Sequence, residues 1–449
     1  MPQMSYQMEL PFESRGEAPQ SDRSEEASTA RGGNERPGAS GLMVEVLGRR
    51  NLHTALKRVR QNKGSPGIDG MTVDELPEWL KANWDRIREE LIDGTYRPQP
   101  VLRQEISKGG GGVRQLGIPT VLDRLIQQAL LQVLQPRIDP TFSEHSYGFR
   151  PGRRAHDAVR KAQGYIREGR HWVVDMDLEK FFDRVNHDVL MSRLSRHIAD
   201  KPVLRLIRRY LEAGILVNGV KVDRYEGTPQ GGPLSPLLAN VLLDEVDKEL
   251  EKRGHPFARY ADDCNVYVRS QRAGERVMAW LRRVFSRLRL RVNEQKSAVG
   301  LVQRRSFLGF AFTFGDEPRP RVSDKAKRAL KARVRQLTRR TRGRSMEQVA
   351  RDLYRNLTGW KNYYRLAQTP SVYSELDGWI RRRLRALQLK HWKRGKTIYR
   401  KLRARGASHD LAAQVAAHHQ RWWRNSNTMA KIALPNSYFD KLGVPRLAA

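Results

Sequence analysis

The chain has 449 residues and a formal net charge of +35, from 84 lysines and arginines against 49 aspartates and glutamates. Such an excess of positive charge repels itself unless a polyanion neutralises it, so nucleic acid is the expected partner. The mean hydropathy of −0.69, without any run of about 18 apolar residues, argues against a membrane partner. The single cysteine, Cys264, excludes an internal disulfide and a multi-cysteine zinc site, and the first residues lack a signal-peptide pattern. We therefore expect a reduced, cytoplasmic setting.

The first part of the chain is predicted to contain a tail, then helices and a hairpin. Residues 1–41 are rich in Ser, Gly, Glu, Pro and Arg, so we expect a disordered tail. Order is expected from Leu42, where apolar residues begin to recur at helical spacing. The elements predicted next are a helix over residues 73–93, strands over 100–107 and 116–119, and a buried helix over 121–134.

The middle of the chain is predicted to alternate strands with helices, and its end is basic. The predicted elements are a strand over 171–177, helices up to about residue 213, two short strands within 216–225, a helix over 233–251, a hairpin around 257–268, a helix over 273–290, and strands over 298–301 and 307–314. From Pro318 to Arg405, lysine and arginine dominate, with tryptophan and tyrosine among them. This composition predicts a mostly helical basic module.

A glycine-rich turn is predicted between the first two strands. Four consecutive glycines separate Lys108 from Arg114. Such a loop can bend over a triphosphate with both cations pointing inward. A flexible, solvated hairpin explains the same residues equally well.

Adjacent carboxylates in an apolar setting are the most informative pattern. In the segment Tyr260-Ala-Asp-Asp263, flanking apolar residues predict a hairpin with Asp262 and Asp263 at its tip. A solvated turn is the ordinary explanation of an Asp-Asp pair. However, apolar residues also lead into Asp175 and Asp177, which a strand places on one face. Like charges that a fold holds together usually have a cation between them.

These acids predict a two-magnesium site for phosphoryl transfer. Mg²⁺ takes oxygen ligands and keeps some of its water, so a few carboxylates plus substrate phosphates suffice. Either Asp175 or Asp177 fits by spacing. We prefer Asp177, because Phe181 and Phe182 follow it at the distance needed to wall a sugar pocket.

Three weaker signals accompany the acids. The loop Gly227-Thr-Pro-Gln-Gly231 lets backbone approach a ligand closely and brings Gln230 toward a sugar or a minor-groove edge, although a plain helix cap at Ser235 is the alternative. Lys296 is suited to stabilise a leaving pyrophosphate, although a lone loop lysine ordinarily faces solvent. Aromatic residues of the basic module are suited to stack on bases or to form its core; the latter is expected for most of Trp360, Tyr364 and Trp379.

Taken in order, these segments resemble the group II intron-encoded reverse transcriptase/maturase family. The motifs that carry the resemblance are residues 146–158 (SYGFRPGRRAHDA), 177–182 (DLEKFF), 227–231 (GTPQG), 260–263 (YADD), Lys296 and 307–310 (FLGF). Residues 357–364 (LTGWKNYY) through 376–383 (LDGWIRRR) resemble the family's maturase-specific thumb. The resemblance extends from about Leu42 to the last residues.

The resemblance implies an α+β fold shaped as a right hand, with fingers, an antiparallel palm sheet and a thumb. The implied organisation is a disordered tail (1–41), an N-terminal extension with fingers and palm (42–316), a thumb or maturase domain (317–390) and a basic DNA-binding segment (391–449). Many family members carry a C-terminal zinc endonuclease with cysteine pairs. With Cys264 alone, this chain is expected to be an endonuclease-lacking member that primes from a nick, a replication fork or a hairpin.

The resemblance also implies an activity and its partners. The expected function is RNA-templated DNA synthesis from dNTPs with two Mg²⁺ ions, together with binding of the intron RNA, help in its splicing, and copying at a DNA target. The expected partners are intron RNA, an RNA template and a DNA primer or target, with no membrane. A domesticated reverse transcriptase in host defence or DNA repair, and a splicing-only RNA-binding maturase, are the alternatives.

Functional residues follow by position in the motifs. The expected catalytic acids and metal ligands are Asp177, Asp262 and Asp263, with Leu178 as a further metal ligand. The expected dNTP contacts are Lys108, Arg114, Phe182, Gln230 and Lys296. The expected nucleic-acid contacts are Arg150, Arg153, Arg381, Arg382 and Arg383.

Overall fold

A computed structural model describes residues 41–107, 113–217, 220–315, 317–341, 343–427 and 430–448. All of the predicted tail except Gly41 lies outside the described residues, and so does the glycine turn with Lys108. Within the described part, no helix has both the length and the apolar character needed to cross a bilayer.

Helices form most of the described chain. They are α1 (Leu42–Val46), α2 (Arg49–Gln61), α3 (Leu76–Ile92), α4 (Val121–Ile138), α5 (Ala155–Arg167), α6 (His187–Leu194), α7 (Lys201–Glu212), α8 (Ser235–Lys252), α9 (Gln271–Arg287), α10 (Asp324–Leu337), α11 (Met346–Tyr364), α12 (Pro370–His391), α13 (Gly395–Arg403), α14 (His409–Ala417), α15 (Trp422–Asn425), α16 (Ala430–Ala433) and α17 (Asn436–Lys441). Short 3₁₀ turns cover Asp139–Thr141 and Phe181–Asp183. Several helices begin at a side-chain cap, such as Thr120 before α4 and Ser270 before α9. Ser235 does not cap α8; its hydroxyl instead donates to the carbonyl of Pro229 at 2.7 Å.

The described strands form three sheets. They are β1 (Val101–Ser107), β2 (Val113–Ile118), β3 (Trp172–Met176), β4 (Ile215–Val217), β5 (Val220–Val222), β6 (Phe257–Tyr260), β7 (Asp263–Val268), β8 (Ala298–Leu301), β9 (Phe310–Phe312) and β10 (Pro320–Val322). The sheet orders are β2-β1-β4-β5, β6-β7-β3-β8 and β10-β9. Every pairing is antiparallel except β1 with β4. The chain therefore has a mixed helix-and-sheet fold with antiparallel sheets, as the sequence predicts.

The central sheet β6-β7-β3-β8 is buried on both faces. Successive side chains of a strand point to opposite faces, so Val174 and Val266 pack into a core shared with α8 and α9. Val173 and Tyr267 pack into a second core shared with α5 and the C-terminal helices. The end of this sheet is thereby held rigidly between two hydrophobic layers.

The C-terminal helices pack on the second core through aromatic residues. Trp360 and Tyr364 of α11 are buried there, as predicted, and the hydroxyl of Tyr363 donates to the carbonyl of Leu308 at 2.9 Å. Gly309 leaves room for the hydroxyl of Tyr364, because a Cβ at residue 309 would lie 2.4 Å from that hydroxyl oxygen. Phe439 joins the same core. The domain boundary predicted at residue 390 falls inside α12. The domain boundary predicted at residue 316 lies between β9 and β10, which pair with each other.

A buried carboxylate behind the central sheet makes stability depend on pH. Asp244 of α8 accepts a hydrogen bond from the backbone N–H of Ser143 at 3.2 Å, and burial together with the nearby charge of Asp247 raises its pKa to about 6. An unfolded aspartate titrates near 3.9. Between these values the folded state binds more protons than the unfolded state, so this group's contribution to stability falls as pH rises from about 4 to 6.

Replacing Asp244 by asparagine is expected to stabilise the protein at neutral pH. The amide keeps an acceptor for Ser143 and carries no charge to bury, so the free energy of unfolding should rise by roughly 2 kcal/mol at pH 7, allowing for partial solvent screening. The gain should shrink toward pH 4, where both side chains are neutral. Urea unfolding at both pH values measures it, with the exposed Asp85→Asn as control. A gain that is equal at both pH values would contradict the assignment.

Candidate active site

The hairpin β6–β7 presents two acids at its tip. Tyr260 pairs with Asp263, so Ala261 and Asp262 form the two-residue turn between the strands. Ala261 has a φ of 56°, in the left-handed region that disfavours residues with a Cβ. Such backbone strain is retained only where contacts with the surrounding residues hold the turn in this conformation.

Asp177 reaches the same place from the neighbouring strand. It directly follows β3, whose last residue, Met176, pairs with Cys264 of β7. Its backbone N–H donates to the Ser297 hydroxyl at 3.0 Å, and its carbonyl accepts from the N–H of Asn293 at 2.8 Å. These bonds fix Asp177 at the edge of the site beside Asp263.

The carboxylates repel one another. Dehydration by the surrounding protein atoms, with the charges of Asp262, Asp175 and Asp177, raises the pKa of Asp263 to about 7, although its side chain reaches solvent. A nearby positive charge favours the ionised form of such carboxylates. Lys296 supplies one charge: its Nζ lies 3.5 Å from Asp177 Oδ1.

Asp175 is held by hydrogen bonds from neighbouring side chains. Its Oδ2 accepts hydrogen bonds from Nε and Nη2 of Arg305, at 3.0 and 2.6 Å. The amide nitrogen of Asn265, in the orientation that satisfies its neighbours, donates to Oδ1 at 3.2 Å. Burial raises the pKa of Asp175, and the Arg305 guanidinium opposes that shift. Both oxygens of Asp175 are thus committed to protein donors, which supports the preference for Asp177 as the ligand.

A wholly buried arginine holds the turn of the hairpin. Arg259 forms an ion pair with Asp247, whose side chain is also buried, at 2.5 Å. Its Nη1 donates to Asn240 Oδ1 at 3.0 Å and to the carbonyl of Ala261 at 2.9 Å. Gly148 lies against the same turn, where a Cβ would come within 2.2 Å of the Ala261 nitrogen. Arg259 was not predicted as a site residue, although an arginine inside an otherwise apolar strand is a visible signal.

Two of the residues predicted to contact a nucleotide, Phe182 and Gln230, lie on segments that backbone hydrogen bonds hold together. The carbonyl of Phe182 accepts from the N–H of Thr228 at 2.7 Å, and its ring meets that of Phe149 edge-on, with centroids 6.4 Å apart. The carbonyl of Gln230 accepts from the N–H of Gly117 at 2.9 Å. The 227–231 loop is therefore held between β2 and the 3₁₀ turn after β3.

Three further predicted residues have a more limited description. Lys108 lies outside the described residues, and so does the side chain of Arg114, whose backbone pairs with Ile106. Leu178 is buried and bridges Val292 in an antiparallel arrangement. The dNTP-binding role of the glycine turn remains a prediction.

The donor set suits a divalent cation that prefers oxygen. Among the described residues, no group of three or more His, Cys, Asp or Glu side chains is already gathered around a common point that could hold a metal ion. The acids that do interact, Asp177, Asp262 and Asp263, offer hard carboxylate oxygens whose mutual repulsion a divalent ion relieves. These residues thus fit divalent ions whose remaining ligands are substrate phosphates and water. They do not form a site in which the protein supplies every ligand.

Two of the arginines predicted to bind nucleic acid are internal. Arg150 is buried, pairs with Asp139 at 2.9 Å and donates to backbone carbonyls. Arg381 is buried and pairs with Asp440 at 2.8 Å. The prediction is wrong for these two, because each guanidinium pairs with a carboxylate and donates hydrogen bonds to backbone carbonyls inside the fold. Arg153 is half-buried and lies over the Tyr147 ring at 5.7 Å.

Arg382 and Arg383 lie instead on a surface of cations and indoles. Arg382 covers the Trp423 ring at 4.1 Å, and Arg383 covers Trp379 at 5.4 Å. Lys331 and Arg335 also lie over Trp379. Cations therefore cover the Trp379 ring, and the Nε of Arg383 donates to the buried Thr338 hydroxyl at 2.8 Å.

The chain matches two protein families in succession. Residues 106–312 match the family described as "Reverse transcriptase (RNA-dependent DNA polymerase)", and residues 327–406 match "Group II intron, maturase-specific domain". The first match contains the acids and the 227–231 loop, and the second contains the cation and indole surface except for Trp423. The fold and site thus define a reverse transcriptase domain followed by a maturase-specific domain.

Named relatives support the same assignment. The chain is 37% identical to YkfC of Escherichia coli over 209 residues (45% of this chain, 55% of YkfC) and 39% identical to the group II intron-encoded protein LtrA of Lactococcus lactis over 197 residues (44% and 33%). It is also 37% identical over 191 residues to a 91 kDa protein in the cob intron of Schizosaccharomyces pombe (42% and 22%). The chain belongs to the group II intron-encoded reverse transcriptase/maturase family. The matches span about half of YkfC and a third of LtrA.

Proposed function

We propose that this protein is an RNA-directed DNA polymerase that also binds a group II intron RNA and assists its splicing and mobility. The observation that carries the proposal is the register of β3 with β7, which brings Asp177 beside the hairpin acids Asp262 and Asp263, with the Lys296 ammonium 3.5 Å from Asp177 Oδ1. Residues 42–316 would form the N-terminal extension, fingers and palm of a right hand, 317–390 the thumb, and 391–449 a DNA-binding segment.

The three acids, with the backbone carbonyl of Leu178, would hold two Mg²⁺ ions. When bound, such ions lower the pKa of the primer 3′ hydroxyl and stabilise the leaving pyrophosphate. Lys296, whose Nζ lies 3.5 Å from Asp177 Oδ1, would add positive charge, or a proton, on the pyrophosphate side. Bonds from Ser297 and Asn293 to the Asp177 backbone keep that carboxylate in position.

Nucleotide choice would come from Phe182 and the 227–231 loop. The Phe182 ring is proposed to exclude a ribose 2′ hydroxyl, and Gln230 to line the nascent base pair. Lys108 and Arg114 are proposed to bind the triphosphate. Hydrogen bonds from Thr228 and Gly117 hold the backbones of Phe182 and Gln230, so both would act from a fixed frame.

Primer extension on an RNA template tests the proposal. Purified protein, dNTPs, Mg²⁺ and an annealed DNA primer should yield full-length complementary DNA. RNA that co-purifies with the protein should be enriched in one structured intron, and adding protein should speed that intron's splicing. RNA binding and splicing without extension would instead indicate a splicing-only maturase. Extension without intron enrichment would indicate a reverse transcriptase that serves another host process.

The cation and indole surface is proposed to bind phosphates, which gives a prediction about salt. Arg383→Gln should weaken binding to an RNA duplex several-fold and lower the slope of log K against log salt concentration by about 1, since about one counterion fewer is released. The neighbouring Arg381→Gln is the matched control, because it should lower the melting temperature and leave the slope unchanged. Fluorescence anisotropy across a KCl series measures both slopes. An unchanged slope for Arg383→Gln would count against a phosphate contact.

A further inference from the structure

Arg305, in the turn after β8, has no role in the reaction as described so far. Its guanidinium makes two kinds of contact at once. Nε and Nη2 donate to Asp175 Oδ2 at 3.0 and 2.6 Å, and Nη2 also donates to the backbone carbonyl of Lys296 at 2.7 Å. One side chain therefore joins the strand that leads into Asp177 to the loop that carries Lys296.

The path of this side chain is shaped by its neighbours. The Arg305 stem crosses β8 at Gly300, where an added Cβ would lie 3.3 Å from Arg305 Cγ. Asp175, the anchor, stands opposite Ala298 in the β3–β8 ladder and is held on its other oxygen by Asn265. The anchor is rigid, so whatever Arg305 holds is fixed relative to the central sheet.

Lys296 needs such a fixed point. Its side chain is 65% exposed and touches Asp177 only at 3.5 Å, so most of its length is free to change rotamer. The charged end of a long side chain occupies one position for most of the time only if the backbone that carries it is held in place. The Arg305 bond to its carbonyl supplies that restraint from outside the 293–297 turn.

We propose that Arg305 is a positioning residue for nucleotide transfer, because it ties the Lys296 carbonyl to Asp175 and so holds the Lys296 ammonium beside Asp177. This inference rests on the proposed function, in which Lys296 acts on the pyrophosphate. Arg305 itself would touch neither substrate nor metal. Its removal should therefore act through Lys296 and leave nucleotide binding nearly unchanged.

A double-mutant cycle tests the proposal. Single-turnover incorporation of one dNTP on an RNA template gives a rate constant that does not depend on the fraction of active molecules. Lys296→Gln should slow this step about 100-fold, and Arg305→Gln about 10-fold with less than about a twofold change in the dNTP dissociation constant. Adding Arg305→Gln to Lys296→Gln should cost less than about a further twofold, because the two residues act as one unit.

Two matched variants separate positioning from folding. Arg304→Gln removes the same charge from the exposed neighbouring residue and should stay within about twofold of wild type. Arg305→Lys should recover part of the rate, since an ammonium can still bridge Asp175 and the carbonyl. If Arg305→Gln does not fold, Gly300→Ala displaces the stem more gently and should give the same epistasis with Lys296→Gln.

The outcomes are distinguishable. A full additional 10-fold loss in the double variant, or an equal loss for Arg304→Gln, would overturn the inference while leaving the polymerase proposal intact. An unaffected Lys296→Gln would overturn it too, by removing the residue through which Arg305 acts. Wild-type protein that does not extend a primer would defeat the proposed function itself.

Discussion

Primer extension is expected to fall at least about a thousandfold when Asp262 is replaced by alanine, because each divalent ion contributes several kcal/mol of transition-state stabilisation. Asp262 lies in the two-residue turn of the β6–β7 hairpin and interacts electrostatically with Asp263. Its loss removes a proposed oxygen ligand and leaves the core untouched. Single-turnover extension on an RNA template, at several Mg²⁺ concentrations, measures the effect.

RNA binding should survive the same change. Removing a negative charge from the hairpin makes the protein more positive, so affinity for a polyanion should stay equal or rise slightly, with its salt dependence retained. The exposed Asp85→Ala carries the same change in charge far from the hairpin and should extend primers normally. Undiminished extension by Asp262→Ala would defeat the metal assignment. Loss of RNA binding together with extension would point to unfolding instead.

Local patterns in the sequence were enough to place the acids. Apolar residues with a period of two around Asp262 and Asp263 predict the hairpin, and the apolar run before Asp177 predicts the neighbouring strand. Both signals are local, and the antiparallel register of β3 with β7 brings them together. The family's motifs supply the order in which such segments occur, which periodicity alone does not.

Contacts between distant parts of the chain explain what the sequence did not predict. Arg305 meets Asp175 across 130 residues, and Arg381 meets Asp440 across 59. A run of arginines looks like a solvated surface until each partner is known, which is why Arg381 was wrongly assigned to nucleic acid. Trp379 was expected to join the core or stack on bases; it packs against the second core, and cations contributed by α10 and α12 lie over its ring.

Loss of Arg259 is expected to damage both the fold and the site. Arg259→Met leaves the Asp247 carboxylate buried without its cation, which should lower the free energy of unfolding by about 3–5 kcal/mol. It also removes the donor to the Ala261 carbonyl, so the strained turn loses the contact that holds it. Equilibrium unfolding in urea measures the first effect, and single-turnover extension, corrected for the folded fraction, measures the second.

A second substitution separates these two effects. Removing both charges, in Arg259→Met with Asp247→Leu, should restore much of the lost stability, because an apolar pair replaces an unpaired buried charge. Extension should stay low, at least about 10-fold below wild type, because the Ala261 carbonyl still lacks its donor and Asp262 loses its fixed orientation. Recovery of extension along with stability would show that Arg259 serves the fold alone. A stable but slow double variant would show that the buried ion pair is kept because it fixes the geometry of the acids.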